Sequence, residues 1–306
     1  MSEKYFKECL NNIIHGSNVE VLKKFPNSCI DLTVTSPPYD AIRNYSKKLD
    51  TKQNLVGNYS FPFEELAKQL YRVTSMGGVV VWNVNDQTVK GNDGGSTETG
   101  NSFRMALYFQ EVGFNIHDTM IYQKPGVRFP DKLRYHQTFE YMFVLSKGRP
   151  KTIEFINDVR CKSYKPGQRQ WAVPRNKREK DDKLIVCDSF TKNIGEFGRR
   201  HNVWKINCEQ SGGGDITEWN WHPAIFPSAL AHDHIVSWSK EGDVVLDPFS
   251  GSGTTAIQAK ITKRKFIGID INKEYVEKSR KRLENYASVD NQIKEDDGTI
   301  KDFIVF

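Results

Sequence analysis

Two hydrophobic rhythms lie back to back between Phe63 and Val84. In FEELAKQLYRVT, the residues Phe63, Leu66, Leu70 and Val73 recur at helical spacing. They predict an amphipathic helix over Phe63–Thr74, closed by Gly77-Gly78. Directly after it, VVVWNV (Val79–Val84) is apolar without alternation, the pattern of a strand covered on both faces. A sheet with two buried faces needs helices on both sides. This stretch therefore points to an α/β layer architecture.

The same alternation runs along the chain. Strands are expected at Ile13-Ile14, Ile30–Thr35, Asp243–Leu246 and Lys265–Ile269. Helices are expected at Asn18–Lys24, Ser102–Val112, Ile225–Ser239, Thr254–Ile261 and Lys273–Tyr286. Ile116–Gln123 and Thr138–Leu145 have no helix between them, and are expected as an antiparallel hairpin at one edge of a mostly parallel, doubly wound sheet. Asp86–Asn101, rich in Gly, Thr, Asn and Ser, reads as a loop, and the last twenty residues are polar apart from FIVF.

At 306 residues the chain has room for one large domain with a smaller insertion. No apolar run approaches the roughly 20 residues of a membrane helix, and MSEKYFKECL has no apolar signal core, so a cytoplasmic location is expected. Cys9, Cys29, Cys161, Cys187 and Cys208 are scattered with no C-x-x-C pair. Unreactive thiols in a reducing compartment are favoured over disulfides or a zinc finger. Charge is uneven. Lys147–Lys205 holds 16 Lys and Arg against 7 acids, a local +9 within a whole-chain +6, so the remainder carries −3. A basic stretch between near-neutral halves is the footprint of a phosphate-binding surface.

Two motifs carry chemistry. VVLDPFSGSGTT (Val244–Thr255) runs from a strand through a Gly-rich turn into a helix. Gly251 and Gly253 let the backbone approach a ligand, and the helix start near Thr254 offers free N–H groups. Asp270 ends the next strand, where a carboxylate can bind two ribose hydroxyls. With neither G-x-G-x-x-G nor a P-loop Lys, the series suits a nucleoside-bearing cofactor without a pyrophosphate. TSPPYD (Thr35–Asp40) sits at the carboxyl end of a buried strand. Its prolines remove two donors and fix two φ angles, leaving rigid carbonyl acceptors beside the Ser36 hydroxyl and the Tyr39 ring. That set suits a planar base with an exocyclic amine. His232-Asp233-His234 lies in a helical stretch, where residues two apart do not share a face, so no metal site is expected.

In this order the motifs resemble the N4-cytosine/N6-adenine DNA methyltransferases of the β permutation class. The resemblance spans about residues 11–286 and includes GGVVVWNVND (Gly77–Asp86), FEYMFVLSKG (Phe139–Gly148), HPAIFP (His222–Pro227) and GIDINKEYVEKSRKRL (Gly268–Leu283). It implies a Rossmann-like, circularly permuted methyltransferase sheet that uses S-adenosylmethionine, without a metal, on double-stranded DNA. It implies a catalytic half at 1–148, an inserted target-recognition region at 149–214, a cofactor half at 215–290 and a tail at 291–306. Ser36, Pro37, Pro38 and Tyr39 would hold the target base. Asp247, Phe249, Gly251, Gly253 and Thr254 would line the methionine pocket, Asp270 would bind ribose, and Phe226 and Pro227 would pack near the cofactor. Arg160, Lys162, Arg169, Arg175 and Arg178 are the expected DNA contacts, with Arg43 and Tyr45 as further candidates. The chain departs from the family at Gly16-Ser17, where members often have Gly-Asp near the adenine of the cofactor. The family trend pairs Ser-Pro-Pro-Tyr with cytosine N4 and Asp/Asn-Pro-Pro-Tyr with adenine N6, so Ser36 favours N4. A restriction endonuclease partner and the choice between monomer and homodimer stay open.

Overall fold

The structure, a computed structural model, describes residues 2–38, 61–90, 96–126, 134–162, 164, 170–171, 176–178, 184–186, 191–192, 195–207, 222 and 224–296. It divides into two compact units, Met1–Glu154 with Asn202–Phe306, and Phe155–His201. The first unit begins α1 (Ser2–Cys9), β1 (Asn12–His15), α2 (Asn18–Lys23), β2 (Ile30–Thr35), α3 (Phe63–Val73) and β3 (Thr74–Val84). It continues with β4 (Thr88–Lys90), β5 (Ser96–Glu98), α4 (Asn101–Val112), β6 (Asn115–Gln123) and β7 (Phe139–Ser146). The second unit holds β8 (Asn157–Arg160), β9 (Gln170–Trp171), β10 (Asn176–Arg178), β11 (Leu184–Val186), β12 (Thr191–Lys192) and β13 (Phe197–Arg199). These pair antiparallel as β8–β13, β9–β12 and β10–β11. The first unit resumes with β14 (Val203–Lys205), α5 (Ser228–Trp238), β15 (Val244–Asp247), α6 (Thr254–Ile261), β16 (Lys265–Asp270) and α7 (Lys273–Asp296).

Eight strands form one sheet in the order β1-β16-β15-β2-β3-β7-β6-β14. The run from β1 to β3 is parallel, and β7 is antiparallel to both β3 and β6. This is the expected α/β sheet, mostly parallel with an antiparallel hairpin. Alternate side chains feed two cores. On one face Leu32, Val34, Val79, Val81, Met142 and Val144 meet Leu230, Ile235, Ile257 and Val276 of α5, α6 and α7. On the other, Val80, Trp82, Phe143 and Leu145 meet Leu22, Leu66, Leu70 and Phe109 of α2, α3 and α4.

Several details differ from the sequence reading. The helix α3 stops at Val73, and Gly77-Gly78 lie inside β3. The glycines are not needed as a cap, because Lys147 Nζ donates to Tyr71 O in the last helical turn at 2.7 Å and to the O of the C-cap Thr74 at 2.9 Å. Asp86–Asn101 contains the small β4–β5 hairpin rather than loop alone. Its anchors come from outside the segment: Arg134 bonds both Thr88 and Glu98. At the segment's start, Asp86 accepts from Thr99 Oγ1, Ser102 N and Ser102 Oγ, which caps α4. Val203–Lys205 pairs parallel to β6, so the hairpin lies one strand in from the edge. The helix α1 was not anticipated from its polar sequence. Tyr5 and Phe6 dock on the Phe25 ring, with centroids at 6.2 and 5.2 Å. Cys9, Cys29 and Cys161 are free thiols, and burial pushes Cys29 up to about 12, which leaves it un-ionised and unreactive at neutral pH. The last residues of the chain, 297–306, lie outside the described part.

Trp82 is the centre of one core. It is fully buried and makes ring contacts with Phe61, Phe63, Phe109 and Phe249, while its indole N–H has no hydrogen-bond partner among the described residues. Trp82→Ala is expected to lower unfolding free energy by about 3–5 kcal/mol. Trp82→Phe should lose clearly less, since it keeps a ring and deletes an unpaired donor that costs about 1–3 kcal/mol. Urea unfolding midpoints of the two variants test the order.

Candidate active site

The strands β15 and β2 are parallel neighbours, so the segments that follow them open at the same edge of the sheet. A buried hydrogen bond joins them: Thr35 Oγ1 donates to Asp247 Oδ1 at 2.7 Å across 212 residues of sequence. The same oxygen accepts from Phe249 N at 3.0 Å, and the Thr255 hydroxyl, which bonds Val34 O at 3.4 Å, also favours the charged carboxylate. Burial pushes the Asp247 carboxyl above the usual carboxylate range, and those donors act against the shift.

The turn after β15 is shaped by two glycines. Gly251 has φ +49°, and a Cβ there would lie 2.6 Å from His222 Nε2. Gly253 has φ +80° and forms the N-cap of α6. Neither position accepts a larger residue without strain. The turn is tied down on two sides. Arg282 Nη1 donates to Ser252 O and to Thr254 Oγ1, both at 3.1 Å. Asp270 Oδ2 accepts from Gly251 N at 2.8 Å, while Asp270 Oδ1 accepts from Asn272 N at 2.8 Å. Each carboxylate oxygen of Asp270 thus keeps a further lone pair for a ligand hydroxyl. Gly16 N donates to Asp270 O at 2.9 Å, which brings Ser17 beside this strand end. The Ser17 side chain makes no capping bond to α2.

Phe249 is half-buried, with its ring 4.9 Å from that of Phe61. Half-buried Phe226 packs on the α5–α7 core, and buried Pro227 is the N-cap of α5. His222 Nδ1 accepts from Ala224 N at 3.2 Å, and its ring meets Tyr275 edge-on at 4.8 Å. Ser36, Pro37 and Pro38 leave β2 as irregular chain, with Pro37 buried and its neighbours half-buried. Ser36 Oγ lies 3.5 Å from Asn83 Nδ2. Pro38 lines a small cleft with Val84, Asn85, Thr99, Asn101 and Met105. Tyr39, Arg43, Tyr45, Arg169 and Arg175 lie outside the described residues.

Within the second unit, Arg160 and Lys162 are exposed, and the Arg160 guanidinium stands 3.7 Å from Glu196. Arg178 lies on β10. Arg200 is pinned to Asp158 at 2.5 Å, and Arg199 stacks 3.5 Å over the Phe155 ring. Along α5, His234 is buried against Trp238 while His232 pairs with Asp233 at the surface, so the two imidazoles serve different partners.

Thr35, Asn83 and Arg282, which hold the two motifs, lie in the quoted sequence stretches without a role that sequence alone assigns them. Each sits at a strand end or on a late helix, and only strand order brings them to the site.

Burial also pushes Asp270 up, to about 6, with the Asp247 charge adding to the shift and the two backbone N–H bonds opposing it. Its folded value stands above the ordinary carboxylate value near 3.9. Its contribution to stability is therefore full below about pH 4 and falls as pH rises to about 6. Thermal unfolding of wild type and Asp270→Asn between pH 4 and 7 checks this. The variant should lack that falling component whatever its absolute stability.

The DNA methylase family model matches residues 30–281. The chain is 52% identical to the orphan methyltransferase M.BamHII of Bacillus amyloliquefaciens, over 84% of this chain and 89% of that one. Its fold is similar to the cytosine-N4-specific PvuII DNA methyltransferase, with TM-score 0.60 at 20% identity, covering 93% of both chains. It is also similar to TTHA0409 of Thermus thermophilus, described as a putative DNA modification methylase and solved with S-adenosyl-L-methionine, with TM-score 0.55 at 20% identity over 90% of this chain and 95% of that one. With most of its length matched by the family model and by a relative at this identity, the chain belongs to the N6/N4 DNA methylase family.

Proposed function

We propose that this methylase transfers a methyl group from S-adenosylmethionine to the N4 amine of a cytosine flipped out of duplex DNA. The observation that carries the reading is the Thr35–Asp247 bond, which holds the Gly-rich turn and the Ser-Pro-Pro segment side by side. The residues present fit the donor. A glycine turn at positive φ opens α6, whose first-turn backbone N–H groups can receive a ligand, Asp270 keeps lone pairs for ribose hydroxyls, and Phe249 supplies an apolar wall. Bound there, S-adenosylmethionine supplies an electrophilic methyl group on a sulfonium.

The chain's own residues do the rest. A cytosine amine is a poor nucleophile because its lone pair is delocalised into the ring. Ser36 Oγ and the Pro37 carbonyl would accept its two hydrogens and favour a more tetrahedral nitrogen, with the lone pair aimed at the methyl group; as the N–C bond forms the methyl–sulfur bond breaks to leave a neutral thioether, and one of those hydrogens leaves as a proton past the Ser36 hydroxyl to water. Pro37 and Pro38 hold that geometry with fixed φ. Rate then comes from orientation and preset dipoles, with no covalent enzyme intermediate. Flipping the base costs about a few kcal/mol. Tyr39 stacking would offset about 1–3 kcal/mol of that.

In this reading residues 1–148 and 215–290 form the catalytic and cofactor halves, and 149–214 the recognition region. The folded unit Phe155–His201, with Arg160, Lys162 and Arg178, supports that division. Residues Arg169 and Arg175 join the same proposal. The name of M.BamHII, an orphan methyltransferase, supports an enzyme that works without a cognate endonuclease in the cytoplasm of a bacterial cell. The second reading is adenine N6. The serine at 36 favours cytosine, because a carboxylate or amide at this position would reach further into the base pocket.

Expression in a methylation-free bacterial host, followed by mass spectrometry of nucleosides, should show N4-methylcytosine above the empty-vector control. N6-methyladenine in its place would overturn the assignment of the target atom alone. The variant Tyr39→Ala should lose most activity, and near-normal methylation by it would overturn the proposed role of the Ser-Pro-Pro-Tyr segment.

A further inference from the structure

Four adjacent strands carry a polar row on one face at the same end of the sheet. In β2 the apolar positions Leu32 and Val34 are followed by Ser36. In β3, Val79 and Val81 lead to Asn83; in β7, Val144 and Met142 lead to Glu140; in β6, Met120 and Tyr122 lead to Lys124. The strand order β2-β3-β7-β6 sets these four residues in line. They are linked in that order. Asn83 Nδ2 lies 3.5 Å from Ser36 Oγ and donates to Glu140 Oε2 at 2.6 Å, and Lys124 Nζ pairs with Glu140 Oε1. Asn83 and Glu140 are buried, and Lys124 is mostly so.

We propose that Glu140, paired with Lys124, is a positioning residue for the Ser36 hydroxyl and acts through the Asn83 amide. The inference rests on the methyl-transfer reading above. A serine hydroxyl is a free rotor, and its use as an amine acceptor requires a lone pair held outward. The Asn83 amide has two hydrogens. Glu140 takes one and thereby fixes which end of the side chain is the NH2. The other faces Ser36 at the long limit of a hydrogen bond, a distance that shortens readily once a ligand closes the site. One Ser36 lone pair is then engaged, and the hydroxyl is held with the second turned toward the base.

The energetics also point away from a purely structural role. A buried ion pair is seldom more stabilising than apolar residues of similar volume. The preceding positions of all four strands are apolar and already complete the core on this face. Leucine or methionine at 140 and 124 would continue it. Charge at the active end of the row therefore serves orientation.

The test uses the full chain, with steady-state methylation, calorimetric binding of S-adenosylmethionine and thermal midpoints measured together. In Glu140→Gln, kcat should fall about 10- to 100-fold, the range for outer partners that orient a site residue, with donor affinity and KM for DNA close to wild type. The double variant Lys124→Met/Glu140→Gln should fall no further than Glu140→Gln alone, because the pair acts as a unit. Lys124→Arg should restore most of what Lys124→Met loses. If Glu140→Gln folds poorly, the comparison of Lys124→Met with Lys124→Arg carries the test on a residue nearer solvent. Unchanged kcat in Glu140→Gln and Lys124→Met overturns the inference, as does a fall matched by equal losses in donor binding and thermal midpoint. An inactive wild type would overturn the functional reading and this inference with it. An active wild type with unaffected variants overturns this inference alone.

Discussion

The Asp247 carboxylate is the joint on which the rest of the site depends. It is buried at the end of β15, and the groups that hold it are neutral. Thr35 donates from the neighbouring strand and Phe249 N from its own turn, and the Thr255 hydroxyl on the helix that follows favours the charged form. A buried carboxylate held by neutral donors is expensive unless all are in place, so each donor's position is tied to the others. The Ser-Pro-Pro segment, the glycine turn and the helix start cannot shift independently.

A second acid stands close enough to matter. The charge on Asp247 raises Asp270, on top of the desolvation that dominates. A buried acid and a half-buried one close enough to feel each other make an environment that disfavours further negative charge and favours a cationic guest. That electrostatic bias agrees with a proposed donor whose reacting centre is a sulfonium. Around the turn, Arg282 bonds the Ser252 carbonyl and the Thr254 hydroxyl.

Much of this was legible in the sequence because it is written locally. Unbroken apolar runs gave β2 and β3, glycine after a strand gave the turn before α6, and paired prolines gave the end of β2. What escaped was decided across strands or by distant side chains. The β4–β5 hairpin depends on Arg134, the end of α3 on Lys147, and α1 on two rings packing against Phe25. Asn83, Glu140 and Lys124 each adjoin an apolar strand run like any polar residue at a chain exit. Only the order β2-β3-β7-β6 makes them a row. Periodicity within one element cannot report that order.

The same strand order has a consequence for biogenesis. In the sheet, β2 is flanked by β3, made soon after it, and by β15, made some two hundred residues later. Among the described residues the strand β1 pairs only with β16, whose register joins Asn12 to Ile267. During synthesis the first half of the sheet therefore carries the unpaired edge of β2, with its apolar side chains, until the far end of the chain emerges. Such distant pairings close slowly, because the loop entropy is lost before the contacts repay it. The motif order that defines this class thus leaves the nascent chain with a long-lived sticky edge, at the strand that leads into the proposed base-holding segment.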